Sequence, residues 1–152
     1  MVILNLLYGV GAFLADWNKT HVLNPNWPPH ARFHNGQTMT FGVLLNALTL
    51  YLLFRGSFGK AASSRTKARE LDDMFLAAVV GSLYCIAGLS AILYPGTLWA
   101  DPEYYIPYAP QSWLFGGIVV GQWICFSREK ENIERTFGGE GLWEGKGKGK
   151  AQ

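Results

Sequence analysis

FLAAVVGSLYCIAGLSAILY, residues Phe75–Tyr94, runs for 20 residues without a charge. As an α-helix it rises about 30 Å, the thickness of the hydrocarbon core of a bilayer. A soluble helix of that length shows polar positions every third or fourth residue to wet its outer face. Here only two serines, two tyrosines and a cysteine interrupt the apolar run.

Working outward, three more blocks are almost free of charge: Met1–Ala15, Thr38–Phe54 and Ser112–Ser127. The last two are short for spans, but flanking aromatic and basic anchors and a thin endoplasmic reticulum bilayer accommodate them. The first block lacks the basic start and small-residue cleavage site of a signal peptide, so a retained span is expected. The pattern predicts an all-α, transmembrane four-helix bundle with spans at about 1–15, 38–54, 75–94 and 112–127. Residues 128–152 then form a tail whose Gly/Lys/Glu end predicts disorder. Cys85 and Cys125 both fall inside predicted spans, which favours buried free thiols over a disulfide framework.

Charge sets the orientation. Of the 13 lysines and arginines, only Lys19 and Arg32 lie in the first and third connections; the rest lie in the middle connection and the tail. The positive-inside rule places those two segments and both termini in the cytosol. Residues 16–37 and 95–111 then share the opposite face, and they are the connections rich in polar chemistry.

Residues 16–37 read DWNKTHVLNPNWPPHARFHNGQ. Pro28 and Pro29 suit a turn leading to a first helical position, so a helix is expected from about His30 into the second span. His30 and His34 are then stacked one turn apart, with Gln37 continuing along that face. Two imidazoles so placed can share proton transfer or bind a metal; the structural alternative is capping and hydrogen bonding within a Pro-rich turn. Asp16 closes the first span, and in a hairpin of spans one and two it is expected to approach His34 and orient the ring. Capping a helix end or pairing with Arg32 is the plainer role. The candidate acid/base cluster is therefore Asp16, His21, His30 and His34, with Trp17, Trp27, Gln37 and Asn46 as substrate contacts. The loop LWADPEYYIPYAP, residues 98–110, is expected to close over it and add Asp101, Glu103, Tyr104 and Tyr105.

DWNKTH followed by NPNWPPHARFHNGQ resembles a family of small four-span fungal integral membrane proteins of uncharacterised function. The layout of the chain up to about Phe126 is similar to that family, and the specific motif occupies residues 16–37. The resemblance implies a four-span fold and a setting in fungal secondary metabolism, with work on an apolar natural product. The layout is only loosely similar to emopamil-binding-protein-like isomerases.

The aromatic residues of both loops also fit an interfacial belt. Within the spans, Asn5, Asn46 and Gln122 need partners in hydrocarbon and are expected to face the bundle interior as interhelical glue or as substrate contacts. Ala77, Gly81 and Cys85, and the Gly117/Gly121 pair, mark expected close helix contacts. The chain lacks a Walker loop, dinucleotide fingerprint, nucleophile elbow, CxxC pair and HExxH motif, which withdraws support from nucleotide-driven transport, soluble redox chemistry and ordinary hydrolase designs.

Two functions from different classes follow. One is an intramembrane enzyme that isomerises or cyclises a lipophilic terpenoid, polyketide or sterol-like molecule by acid/base catalysis. The other is a non-enzymatic membrane protein that binds lipid or scaffolds biosynthetic enzymes, as a monomer or homo-oligomer. Neither calls for a cofactor, a resident metal or nucleic acid.

Overall fold

The computed structural model describes residues 1–57, 66–104 and 110–144, with side chains described as far as Gly138 in the last stretch. Among the described residues there are four α-helices: α1 (Val2–Asp16), α2 (Pro29–Phe54), α3 (Lys67–Ser90) and α4 (Pro110–Glu144). Short 3₁₀ turns follow α2 at Arg55–Ser57 and α3 at Ala91–Leu93, and a third lies at Pro102–Tyr104. Among the described residues there is no strand.

Local chemistry sets the helix starts. Pro28 is extended and Pro29 opens α2, where a missing N–H costs nothing and the ring already holds a helical φ. Thr66 caps α3, its hydroxyl accepting from the Arg69 N–H at 3.3 Å. α4 runs past residue 127 as far as Glu144, and the expected disordered end of the tail lies largely outside the described residues. The segment after Ser127 is rich in Glu, Lys and Arg, good helix formers, and includes a Glu131–Arg135 pair one turn apart at 3.6 Å.

α3 packs against α2 and α4, α1 packs against α2, and α1 meets α3 and α4 more lightly. The apolar core is Tyr8, Ala12, Leu45, Tyr84, Cys85, Phe115 and Ile118. Tyr8 and Tyr84 stack with centroids 5.3 Å apart, and Phe115 meets Tyr84 edge-on. Gly88 admits that arrangement, since a Cβ there would lie 2.3 Å from Cε2 of Phe115.

The interior also holds polar side chains among further buried apolar ones such as Met39, Leu52, Ala77 and Ala78. Asn5, Thr49, Ser82 and Gln122 are almost fully buried, and Asn46 nearly so. Tyr8 donates to Asn5 Oδ1 at 2.8 Å, while both amide atoms of Gln122 and Oδ1 of Asn46 have no hydrogen-bond partner. Gly81 sits beneath Asn5 and Gln122, where a Cβ would come within 2.9 Å of each. Of the expected glycine pair on α4, Gly121 packs against Leu4 and Gly117 faces open space. At the other end of α3, Asp73 is buried and paired with Arg55, whose guanidinium is held above its ordinary pKa chiefly by that hydrogen bond.

Outside, large apolar side chains dominate: Leu6, Leu7 and Val10 on α1, Phe41, Leu44 and Leu48 on α2, Leu83 and Ile86 on α3, and Trp113, Leu114 and Val120 on α4 are all exposed. Two helices are long and apolar enough to cross a membrane, α2 with its turn (Pro29–Ser57) and α3 with its turn (Lys67–Leu93). α1 is apolar but shorter.

Candidate functional site

The 1–2 and 3–4 connections lie together at one end of the bundle, where they cover a cavity of about 690 Å³. Its apolar lower wall is built from Leu7, Tyr8, Ala12, Tyr84, Leu114 and Phe115. Its upper wall carries Asp16, Thr20, His21, Trp27, Asp101 and Tyr104. One end of the space therefore suits hydrocarbon and the other suits a polar group.

The first loop folds around its own side chains. Asn18 donates its amide to the Ala15 carbonyl at 2.6 Å, and its Oδ1 accepts from the Thr20 N–H at 2.7 Å and the Thr20 hydroxyl at 2.6 Å. Because the Ala15 carbonyl can only accept and the Thr20 N–H can only donate, the orientation of the Asn18 amide is fixed. The single hydroxyl proton of Thr20 is thus committed to Asn18. Thr20 Oγ1, 2.7 Å from His21 Nδ1, must then accept a proton from the ring. In its neutral form His21 therefore carries its proton on Nδ1, and the lone pair of Nε2 faces Asp16 Oδ1 at 3.8 Å. Asp16 is itself anchored from α2, where Asn35 Nδ2 donates to Oδ2 at 2.9 Å.

The second loop is tied to the first by side chains. Trp27 Nε1 donates to Asp101 Oδ2 at 2.9 Å, and the buried Asn24 donates to Glu103 Oε1 at 3.3 Å. Tyr104 reaches the Lys19 carbonyl at 3.4 Å. Trp27 also meets the His21 ring edge-on at 5.4 Å, so Asp16, His21, Trp27 and Asp101 form a continuous rim.

The structure separates the two groups of histidines. His30 and His34 face each other, Nε2 to Nε2 at 3.0 Å, and His34 Nδ1 lies 3.2 Å from Gln37 Oε1. Both rings are exposed, and neither they nor Gln37 lines the cavity. Asp16 meets His21 and Asn35 where the sequence predicts His34. The reason is helical phase: the inward stripe of α2, Met39, Gly42, Asn46 and Thr49, continues upstream through Asn35 and Ala31. His34 is rotated about 100° from Asn35 and faces outward. Arg32 does not pair with Asp16 but donates to the Asn24 carbonyl at 2.7 Å.

Trp17 is exposed and stacks on Phe13 away from the cavity, and Asn46 is buried against Gly9, below the lining. Glu103 holds Asn24 without lining the space. Tyr105 lies outside the described residues. Sequence reasoning missed Asn18, Thr20, Asn24 and Asn35. The signal for the first two was the Asn-x-Thr spacing, which forms a local turn as readily as a glycosylation site.

A helical bundle with an apolar core, buried amides and hydroxyls among its helices, an exterior rich in apolar side chains and a half-polar cavity beneath two cross-tied loops defines the class of the protein. Within that class the chain belongs to DUF6640, a family of unknown function whose model matches residues 1–122, taking in the whole site. No curated protein and no solved structure matches the chain.

Proposed function

We propose that the chain is a multi-pass membrane protein that moves a proton on a lipophilic small molecule bound in the loop-end cavity, with His21 as the base. The membrane part of this reading draws support from the inverted distribution of side chains. Buried amides and hydroxyls with exposed leucines, valines and aromatics suit hydrocarbon surroundings and would be costly in water. With 11 of the 13 basic residues in the middle connection and the tail, both termini are cytosolic and the cavity opens on the opposite face, in the endoplasmic reticulum. The placing in fungal secondary metabolism rests on the resemblance described above.

The observation that carries the catalytic reading is the Asp16–His21 couple at the polar end of the cavity. Nε2 accepts a proton from an acidic C–H or O–H of the substrate, while Nδ1–H stays on Thr20. Asp16 Oδ1 stabilises the imidazolium that forms. The same proton then returns at another atom of the substrate, giving an isomerisation, or the deprotonated atom first adds to a double bond of the same molecule to close a ring and the imidazolium returns the proton to the anion that results, in both cases without change of oxidation state. The aromatic wall of Tyr8, Tyr84 and Phe115 holds the apolar body in place.

Gene deletion with untargeted comparison of lipid-soluble metabolites identifies the accumulating compound, which is then supplied to the purified protein. His21→Ala is expected to lower turnover about 100-fold or more, the range of a lost general base, with thermal unfolding near wild type. His30→Ala and His34→Ala are expected to keep most of the activity. Full turnover in His21→Ala would remove His21 from the chemistry.

A further inference from the structure

The charge of the cavity is one-sided. Among the described lining residues the titratable side chains at the rim are Asp16, Asp101, His21 and Tyr104, and no lysine or arginine is present. The nearby cations are occupied elsewhere: Arg32 is bound to the Asn24 carbonyl, and Lys19 is exposed and contributes its backbone carbonyl to Tyr104. Each rim carboxylate is held through one oxygen by a neutral donor, Asn35 on Asp16 and Trp27 on Asp101. Such donors fix the position of a carboxylate without cancelling its charge; Asp101 meets no cation among the described lining residues, and Asp16 meets His21 at 3.8 Å, which counters it only when the ring is protonated.

The walls reinforce that bias. Trp27, Trp99 and Tyr104 surround the acidic rim, and the Tyr8, Tyr84 and Phe115 rings close the apolar end. Aromatic faces attract cations, most strongly where water is excluded. A carboxylate or phosphate head group would meet two like charges here and no partner. A neutral alcohol would gain a hydrogen bond but no charge complement.

We propose that the cavity takes a protonated lipophilic amine, its nitrogen between Asp16 and Asp101 and its hydrocarbon against Tyr8, Tyr84 and Phe115. This rests on the cavity being the ligand site in the proposed function and names the class of molecule it selects.

The test uses the full chain in phosphatidylcholine nanodiscs and three probes of equal chain length: dodecylamine, dodecanol and dodecanoate. Saturable binding is measured by titration calorimetry with protein-free nanodiscs subtracted. Dodecylamine is expected to bind at least about tenfold more tightly than dodecanol, in line with a charge-assisted hydrogen bond, and dodecanoate more weakly still. Asp101→Asn keeps an acceptor for the Trp27 indole while removing one of the two charges, and is expected to cut the preference for amine over alcohol several-fold. Asp101→Glu is expected to retain the preference. Equal affinity for amine and alcohol in the wild type overturns the inference, as does a preference undiminished in Asp101→Asn. In either case loss of turnover in His21→Ala still upholds the catalytic reading. Saturable binding of none of the probes overturns the inference, and turnover on a neutral substrate would again leave the catalytic reading standing.

Discussion

Thr20 shows how much a single hydroxyl decides at this site. Its proton goes to Asn18 and its lone pair receives His21 Nδ1–H, so one side chain dictates which ring nitrogen is free. Thr20→Val keeps the shape and deletes both bonds. Turnover is expected to fall roughly 10-fold to 100-fold, as for other lost partners of a working imidazole, and nitrogen NMR of His21 is expected to show a mixture of tautomers where the wild type shows one. An unchanged tautomer would detach Thr20 from the chemistry. Gly88 is the matching case in packing. Gly88→Ala places a methyl 2.3 Å from Phe115, and the ring must move into the cavity. The expected cost is about 1–3 kcal/mol of stability, read by denaturant unfolding, together with weaker ligand binding. At this scale the sequence was legible as to place and illegible as to partner. DWNKTH and NPNWPPHARFHNGQ both read as polar segments and place His21 in one cluster with Asp16, yet the i, i+4 spacing points to His34 as the ring that Asp16 orients, whereas Asp16 meets His21 and Asn35. Spacing shows which side chains share a face, whereas docking of α1 on α2 determines which face looks inward.

The helices themselves were easier to read, because the absence of charge over a long run is a property of the run alone. The block at 38–54 lies within α2, the block at 75–94 ends one residue beyond α3 and its following turn, and Pro28-Pro29 marks where α2 starts to within a residue. What escaped was the chemistry at the helix ends. Arg55 reads as one more basic residue in a connection, but it returns to α3 and pairs with Asp73, which is buried one turn and a half into that helix. Removing Arg55 leaves a buried carboxylate without its partner, which is more damaging than removing both charges together. Arg55→Gln is therefore expected to lower the unfolding midpoint by more than the double change Arg55→Gln with Asp73→Asn. A double mutant as unstable as the sum of its singles would show the two residues acting independently.

For the whole molecule, the proposed topology makes a direct prediction. Asn26→Cys, in the first loop, is expected to react with an impermeant thiol reagent only from the lumenal side of sealed microsomes, and Glu129→Cys, just beyond the apolar part of α4, only from the cytosolic side. Labelling of both from one side would break the four-span arrangement. The cross-ties between the loops bear on traffic. Trp27 to Asp101, Asn24 to Glu103 and Tyr104 to Lys19 tie the two loops together above the cavity. The side is less guarded, since α1 and α4 touch only lightly, and Leu7 and Leu114 each line the cavity while remaining about half exposed on the outer surface. On the proposed membrane reading, a guest dissolved among acyl chains has a sideways path framed by those two leucines, and need not leave the oil to reach His21.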